Sequence, residues 1–179
     1  MKAQHRHSFI LSVIILLISV NLSSLSFAID GEYSHAVFSG LKSVYVQVDP
    51  INPKTEQKGI ASAQLRKDTE QQLKKAGIKV LSEEGYNRLK ISATYPLARL
   101  DLSVTIDEIQ IENVSFNVNN IVVGVRQAAF LGRKPAISMF ATTWERREID
   151  FSDSSAAIQQ KVRAYVGEFI AAYLAANPR

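Results

Sequence analysis

The period of apolar and polar residues changes several times along this chain of 179 residues, and each change marks an element. Val44, Val46 and Val48 alternate with Tyr45 and Gln47, the period of a half-buried strand. Asp49-Pro50 through Pro53 to Gly59 then reads as a loop, because two prolines remove backbone donors and restrict the residues before them. Ser62 is placed to cap an amphipathic helix whose inner face is Leu65, Thr69, Leu73 and Ala76. Glu70 stands four residues before Lys74 on its solvent face. Gly77 supplies a left-handed stop and Ile78 the apolar contact that follows one. Lys79-Val80-Leu81 reads as a second, short strand.

From Leu97 the period becomes two. Leu100, Leu102, Val104 and Ile106 share a face opposite Asp101, Ser103, Thr105 and Asp107, and the apolar face then shifts to Ile109 and Ile111, as a β-bulge near Glu108 would explain. A turn at Glu112-Asn113 leads into Val114 to Leu131, where Ile121 to Val125 is apolar on both faces and so predicts a central strand. Gly132 to Pro135 turns the chain into a further strand from Ser138 to Ile149 carrying Met139, Phe140 and Trp144. A helix from about Ser154 to Ala176 carries Ile158, Val162, Tyr165, Phe169 and Tyr173 at helical spacing. Val166, Ile170 and Leu174 widen its apolar stripe beyond what a core-facing helix needs. The order strand, helix, strand, three-stranded meander, helix predicts an α+β two-layer sandwich. It would have a mixed sheet of about five strands and both helices on one face.

The first 28 residues stand apart from this pattern. Lys2 and Arg6 precede the apolar run Phe9 to Val20, and Ser26-Phe27-Ala28 is a small-x-small ending, which together are the three parts of a secretory signal peptide. Cleavage after Ala28 would release a periplasmic product starting at Ile29, with residues 29–179 forming a single domain. The rival is an uncleaved anchor, but Phe9 to Val20 is short of the roughly 20 apolar residues of a bilayer span. Taking 28 from 179 leaves 151 residues, enough for one hydrophobic core. Lys2 and Arg6 leave 19 basic residues against 17 acidic ones, a net charge of +2 that suggests no nucleic-acid partner. Cysteine is absent, so neither disulfides nor a lipid anchor at residue 29 is available.

Candidate chemistry is sparse, and no catalytic, cofactor or metal residues are assigned. His35 is the one histidine after the signal and cannot make a zinc site or a triad alone. Ser39-Gly-Leu-Lys42 has the S-x-x-K spacing of penicillin-recognising enzymes, but it leads into a strand, and Pro53-Lys54-Thr55-Glu56 is no K-T-G companion. The acids Glu83, Glu84, Asp101, Asp107, Glu108, Asp150 and Asp153 could serve a carboxylate hydrolase or a hard cation. Asp101 and Asp107 equally fit the wet face of a sheet, and Asp153 a helix N-terminus. Asn113-Val-Ser115 fits a glycosylation sequon at a turn where asparagine is expected in any case. Trp144 could stack in the core or on a partner beside Arg146 and Arg147.

Ser43-Val-Tyr-Val-Gln-Val48, the run Leu65 to Val80 and the terminal Phe169 to Pro178 together resemble small exported bacterial domains with an anticodon-binding-like fold. The amino-terminal domain of the TolB protein is one of these. The resemblance implies an envelope assembly or adaptor module rather than an enzyme. On this basis the chain is expected to bind an envelope protein, with Val166, Ile170, Leu174 and Trp144 as partner-binding residues and self-association as a further option. A carrier of an apolar or lipid-like ligand between sheet and terminal helix, helped by Phe116, Phe130 and Phe140, is the alternative.

Overall fold

The structure is a computed structural model that describes residues 36–90, 95–152 and 154–178. The signal segment, its cleavage site, His35 and Asp153 lie outside the described residues. Strand β1 (Ser43–Val48) leads through helices α1 (Pro53–Gln57), α2 (Ser62–Lys75) and α3 (Glu83–Leu89) to a meander. The meander comprises β2 (Leu97–Ile111), β3 (Val114–Leu131) and β4 (Lys134–Asp150), and helix α4 (Ser155–Ala176) ends the chain. The sheet runs in the order β1-β2-β3-β4, with β1 parallel to β2 and the meander antiparallel. This is the expected α+β fold with a mixed sheet of four strands.

The fifth strand, Lys79 to Leu81, is reduced to one bridge. Val80 pairs with Val44 on the outer edge of β1, where the Val44 N–H donates to Lys79 O and the Leu81 N–H to Val44 O, both at 2.9 Å. Pairing stops there because Ser82 at once caps α3, its hydroxyl accepting from the Gly85 N–H at 3.1 Å. The proline loop likewise contains a helix. Pro53 stands at its first position, where a missing N–H breaks no bond, and the Asn52 side chain accepts from the Thr55 N–H at 2.8 Å. Ala61, not Ser62, caps α2, with no side-chain bond. At the other end of α2 the expected stop is met: Gly77 takes φ 75°, its N–H donates to Lys74 O, and the Ile78 N–H reaches back to Leu73 O.

No bulge interrupts β2, whose register against β3 is continuous from Ala98 to Ile111. Ile109 and Ile111 simply fall on the opposite face from Ile106. The irregularities lie in β4: between Phe130↔Ser138 and Leu131↔Lys134 the residues Pro135 to Ile137 face no β3 partner, and Trp144 faces Val125 while Thr142 faces Arg126, leaving Thr143 as an extra residue. Its hydroxyl accepts from Gln127 Nε2 and donates to Val125 O.

One face of the sheet and helices α2 and α4 enclose the main core. Val44, Val46, Leu100, Leu102, Val104, Ile121, Val123 and Val125 meet Leu65 and Leu73 from α2 and Ile158, Val162, Val166 and Phe169 from α4. The two helices predicted from periodicity therefore share that face. Helix α3 covers part of the other one, where Tyr86 stacks on Tyr45 at 4.4 Å beside Leu81 and Leu97. The segment before β1 also belongs to the core, since Phe38 is fully buried. No helix among the described residues is long and apolar enough to cross a membrane.

Candidate interaction surface

Helix α4 begins at the Ser154 cap, whose hydroxyl accepts from the Ala157 N–H at 3.3 Å, and it crosses the sheet at full length. Its widened stripe divides by depth. Val166 is wholly buried, Ile170 is partly buried against the core, and Leu174 is 37% exposed. Trp144 is also buried, 6.1 Å from the Phe169 ring and with the Arg146 guanidinium 5.6 Å from its own. In this fold only Leu174 of the four expected partner-binding residues offers an open surface. The others fill space between helix and sheet together with Phe38, Phe169 and Tyr173.

Farther along, the inward face of β4 is polar, and α4 answers it with charge. Arg146 pairs with Glu168, while Glu148 receives both Lys161 and the Tyr165 hydroxyl, and Asp150 lies 3.3 Å from Lys161. Burial and the bond to Glu148 push the Tyr165 phenol well above its ordinary range. Burial alone would lower the Lys161 pKa, but Glu148 and Asp150 outweigh it and the ammonium is held more firmly. These carboxylates are neutralised by cations across the helix–sheet seam, an arrangement suited to fixing α4 in place.

Asp101 lies on the opposite face, where Arg99 approaches at 2.7 Å and Arg126 at 3.2 Å. Desolvation raises its pKa in spite of both arginines. Glu83 and Glu84 occupy the first turn of α3, where the helix dipole favours negative charge. Among the described residues no group of three or more histidine, aspartate or glutamate side chains could hold a metal ion.

Sequence reasoning undervalued the two ends of the meander. All the exposed large apolar side chains among the described residues except Val37 and Leu174 lie there. At one end β2 and β3 run on past the last pair of β1, Val48 with Leu102, and past Asp150 of β4. On the side away from the helices this tip presents Ile109, Ile111, Val114 and Phe116, continued by Ile149 and Phe151. Phe116 and Phe151 lie 6.4 Å apart, so the patch is contiguous. Asp107 on the same face and Glu112 at the turn border it. The signal was present in the shift of apolar face at Ile109, but a bulge would also have produced it. At the other end β3 and β4 continue beyond the Ala98–Gln127 pair as a two-stranded arm that exposes Phe130, Ile137, Met139 and Phe140.

No protein-family model and no curated protein matches the sequence. Among solved structures the chain is similar to a Helicobacter pylori protein described as a neuraminyllactose-binding hemagglutinin homolog. The identity is 14% and the TM-score 0.34, over 73% of this chain and 82% of that one, a likeness too remote to bear on function.

Proposed function

We propose that this chain is a non-enzymatic adaptor of the cell envelope, exported to the periplasm by residues 1–28, that docks a protein partner through the β2–β3 tip. The observation that carries the reading is the contiguous patch of exposed Ile109, Ile111, Val114, Ile149 and Phe151 around the half-buried Phe116. Apolar surface of that kind on an exported domain marks an interaction site. Its acidic border favours a partner whose apolar face is ringed by lysine or arginine. The same border disfavours an anionic lipid surface, which attracts basic segments.

The carrier reading is weaker, because the space between sheet and α4 is filled by Phe38, Trp144, Val166 and Phe169. A hydrolase is weaker still, since the acids that face one another across the seam are already paired with Lys161 and Arg146. The resemblance to exported domains with an anticodon-binding-like fold belongs to this proposal and supports its adaptor side.

Photo-crosslinking in the exporting host tests the reading, with the crosslinker at position 114. Ile111→Asp, and separately Asp107→Lys with Glu112→Lys, should abolish the adduct while the circular dichroism spectrum and melting temperature stay unchanged. An adduct indifferent to both changes would sink the tip as a docking site. Recovery of co-purifying lipid from the native protein would favour the carrier.

A further inference from the structure

The arm that β3 and β4 form beyond the Ala98–Gln127 pair is apolar on both of its sides. Phe130 faces Ser138 and Phe140 faces Ala128 across the ladder, so both rings lie on the side away from the helices. Met139, opposite Ala129, lies on the other side. The register shift between Phe130 and Leu131 leaves Pro135, Ala136 and Ile137 outside the ladder, as an exposed excursion beside the turn at Gly132-Arg133. Phe130, Ile137, Met139 and Phe140 are all exposed. The charge around them has one sign. From Val114 to Trp144 the chain holds no aspartate or glutamate, and its cations there are Arg126, Arg133 and Lys134. Arg126 is drawn to Asp101 at 3.2 Å. Arg133 and Lys134 are exposed at the end of the arm and pair with no carboxylate among the described residues.

We propose that the arm docks on the surface of an anionic phospholipid bilayer, with Phe130, Ile137, Met139 and Phe140 seated at the boundary of headgroups and acyl chains and with Arg133 and Lys134 on the phosphates. Two observations select lipid as the occupant. The charge is wholly basic, which suits the negative surface potential that attracts lysine and arginine. Apolar side chains also leave the arm on both sides, and a flat protein face would cover one of them, whereas a fluid layer surrounds both. Depth has a limit. The outer edge of β4 and the Pro135 to Ile137 excursion carry backbone groups outside the ladder, and hydrocarbon would leave these unsatisfied. The arm therefore rests in the interface, and its attachment is reversible. Pro135 reduces the cost because it has no N–H to desolvate. The acid-bordered β2–β3 tip lies at the opposite end of the meander, so neither proposal depends on the other.

The full-length gene product, purified from the exporting host, tests this by co-sedimentation with vesicles. One set is phosphatidylcholine alone and the other an equal mixture of phosphatidylcholine and phosphatidylglycerol. Only the mixed vesicles should carry the protein down, and less of it as salt is raised. Each basic residue near such a surface contributes about fivefold, so Arg133→Gln with Lys134→Gln should weaken binding about thirtyfold. Phe140→Ser should weaken it about tenfold. Ile111→Asp, at the other end of the sheet, should bind as the parent does. No binding, equal binding to both vesicles, binding that survives the arm substitutions, or binding lost with Ile111→Asp would overturn the proposal. So would self-association in sedimentation equilibrium that the arm substitutions abolish in a protein indifferent to vesicles, which would make the acid-bordered tip of a second copy the occupant. Circular dichroism establishes that each variant is folded.

Discussion

Phe38 stands edge-on to Phe169, the ring centroids 5.4 Å apart and the planes at 80°. The contact joins the segment before β1 to the last helix, and polar bonds surround it. The Tyr173 hydroxyl donates to Leu41 O at 2.7 Å, Asn177 Nδ2 to Phe38 O at 2.8 Å, and the Gly40 N–H to Asn177 Oδ1 at 2.8 Å. Both ends of the described chain are therefore clamped onto the same side of the sheet.

Emptying this cluster should be expensive. Phe38→Ala and Phe169→Ala each remove a fully buried ring and should cost about 3–5 kcal/mol, and Leu73→Ala about 2–5 kcal/mol. Urea denaturation checks the values. A Phe38 variant as stable as the parent would mean that the segment before β1 is not part of the core.

The terminal stripe should respond according to depth. Val166→Asp places an unpaired carboxylate in the core and should abolish folding, whereas Leu174→Ser, at a position 37% exposed, should change stability by no more than about 0.5 kcal/mol. Expression yield and thermal melting distinguish the two.

Trp144 is the single tryptophan and is buried against Phe169. The native protein should emit at shorter wavelength than free tryptophan and shift red on unfolding, coincident with the loss of circular dichroism signal. A red emission maximum in the native state would place the indole at the surface.

Alkali should weaken the helix–sheet seam. Tyr165 and Lys161 both have folded pKa values raised above their ordinary 10.0 and 10.5. A group raised in the folded state contributes stability that is complete below its unfolded pKa and is lost as pH climbs through the folded value. Unfolding free energy should therefore decline from about pH 10 upward, and Tyr165→Phe should make that decline shallower. Denaturation curves at a series of alkaline pH values give the slope.

Export has its own expected outcome. The product recovered from the periplasm should begin at Ile29, as intact mass would establish, and retention of residues 1–28 would mean that Phe9 to Val20 anchors the chain.

Periodicity alone was sufficient for β1, for the inner faces of α2 and β2, for the hairpin turn at Glu112-Asn113 and for α4 with its Ser154 start. In each the residue spacing matches one repeat of the backbone, and burial of one face enforces it. The Gly77 stop was equally local, since a left-handed residue there closes two hydrogen bonds whatever packs around it. Competing elements were not legible in this way. Lys79 to Leu81 has strand composition, yet the cap at Ser82 two residues on leaves it one bridge. Pro53 looks like a loop residue until Asn52 turns it into the first residue of a helix. The site depended on tertiary structure most of all. Val166 and Leu174 belong to one stripe by spacing, but packing of α4 among Phe38, Trp144 and the sheet's inner valines buries one and leaves the other open. Ile109 and Ile137 look like ordinary strand residues in sequence. They become exposed because β2, β3 and β4 differ in how far they extend past their neighbours, and strand length relative to a neighbour is a property of the assembled sheet.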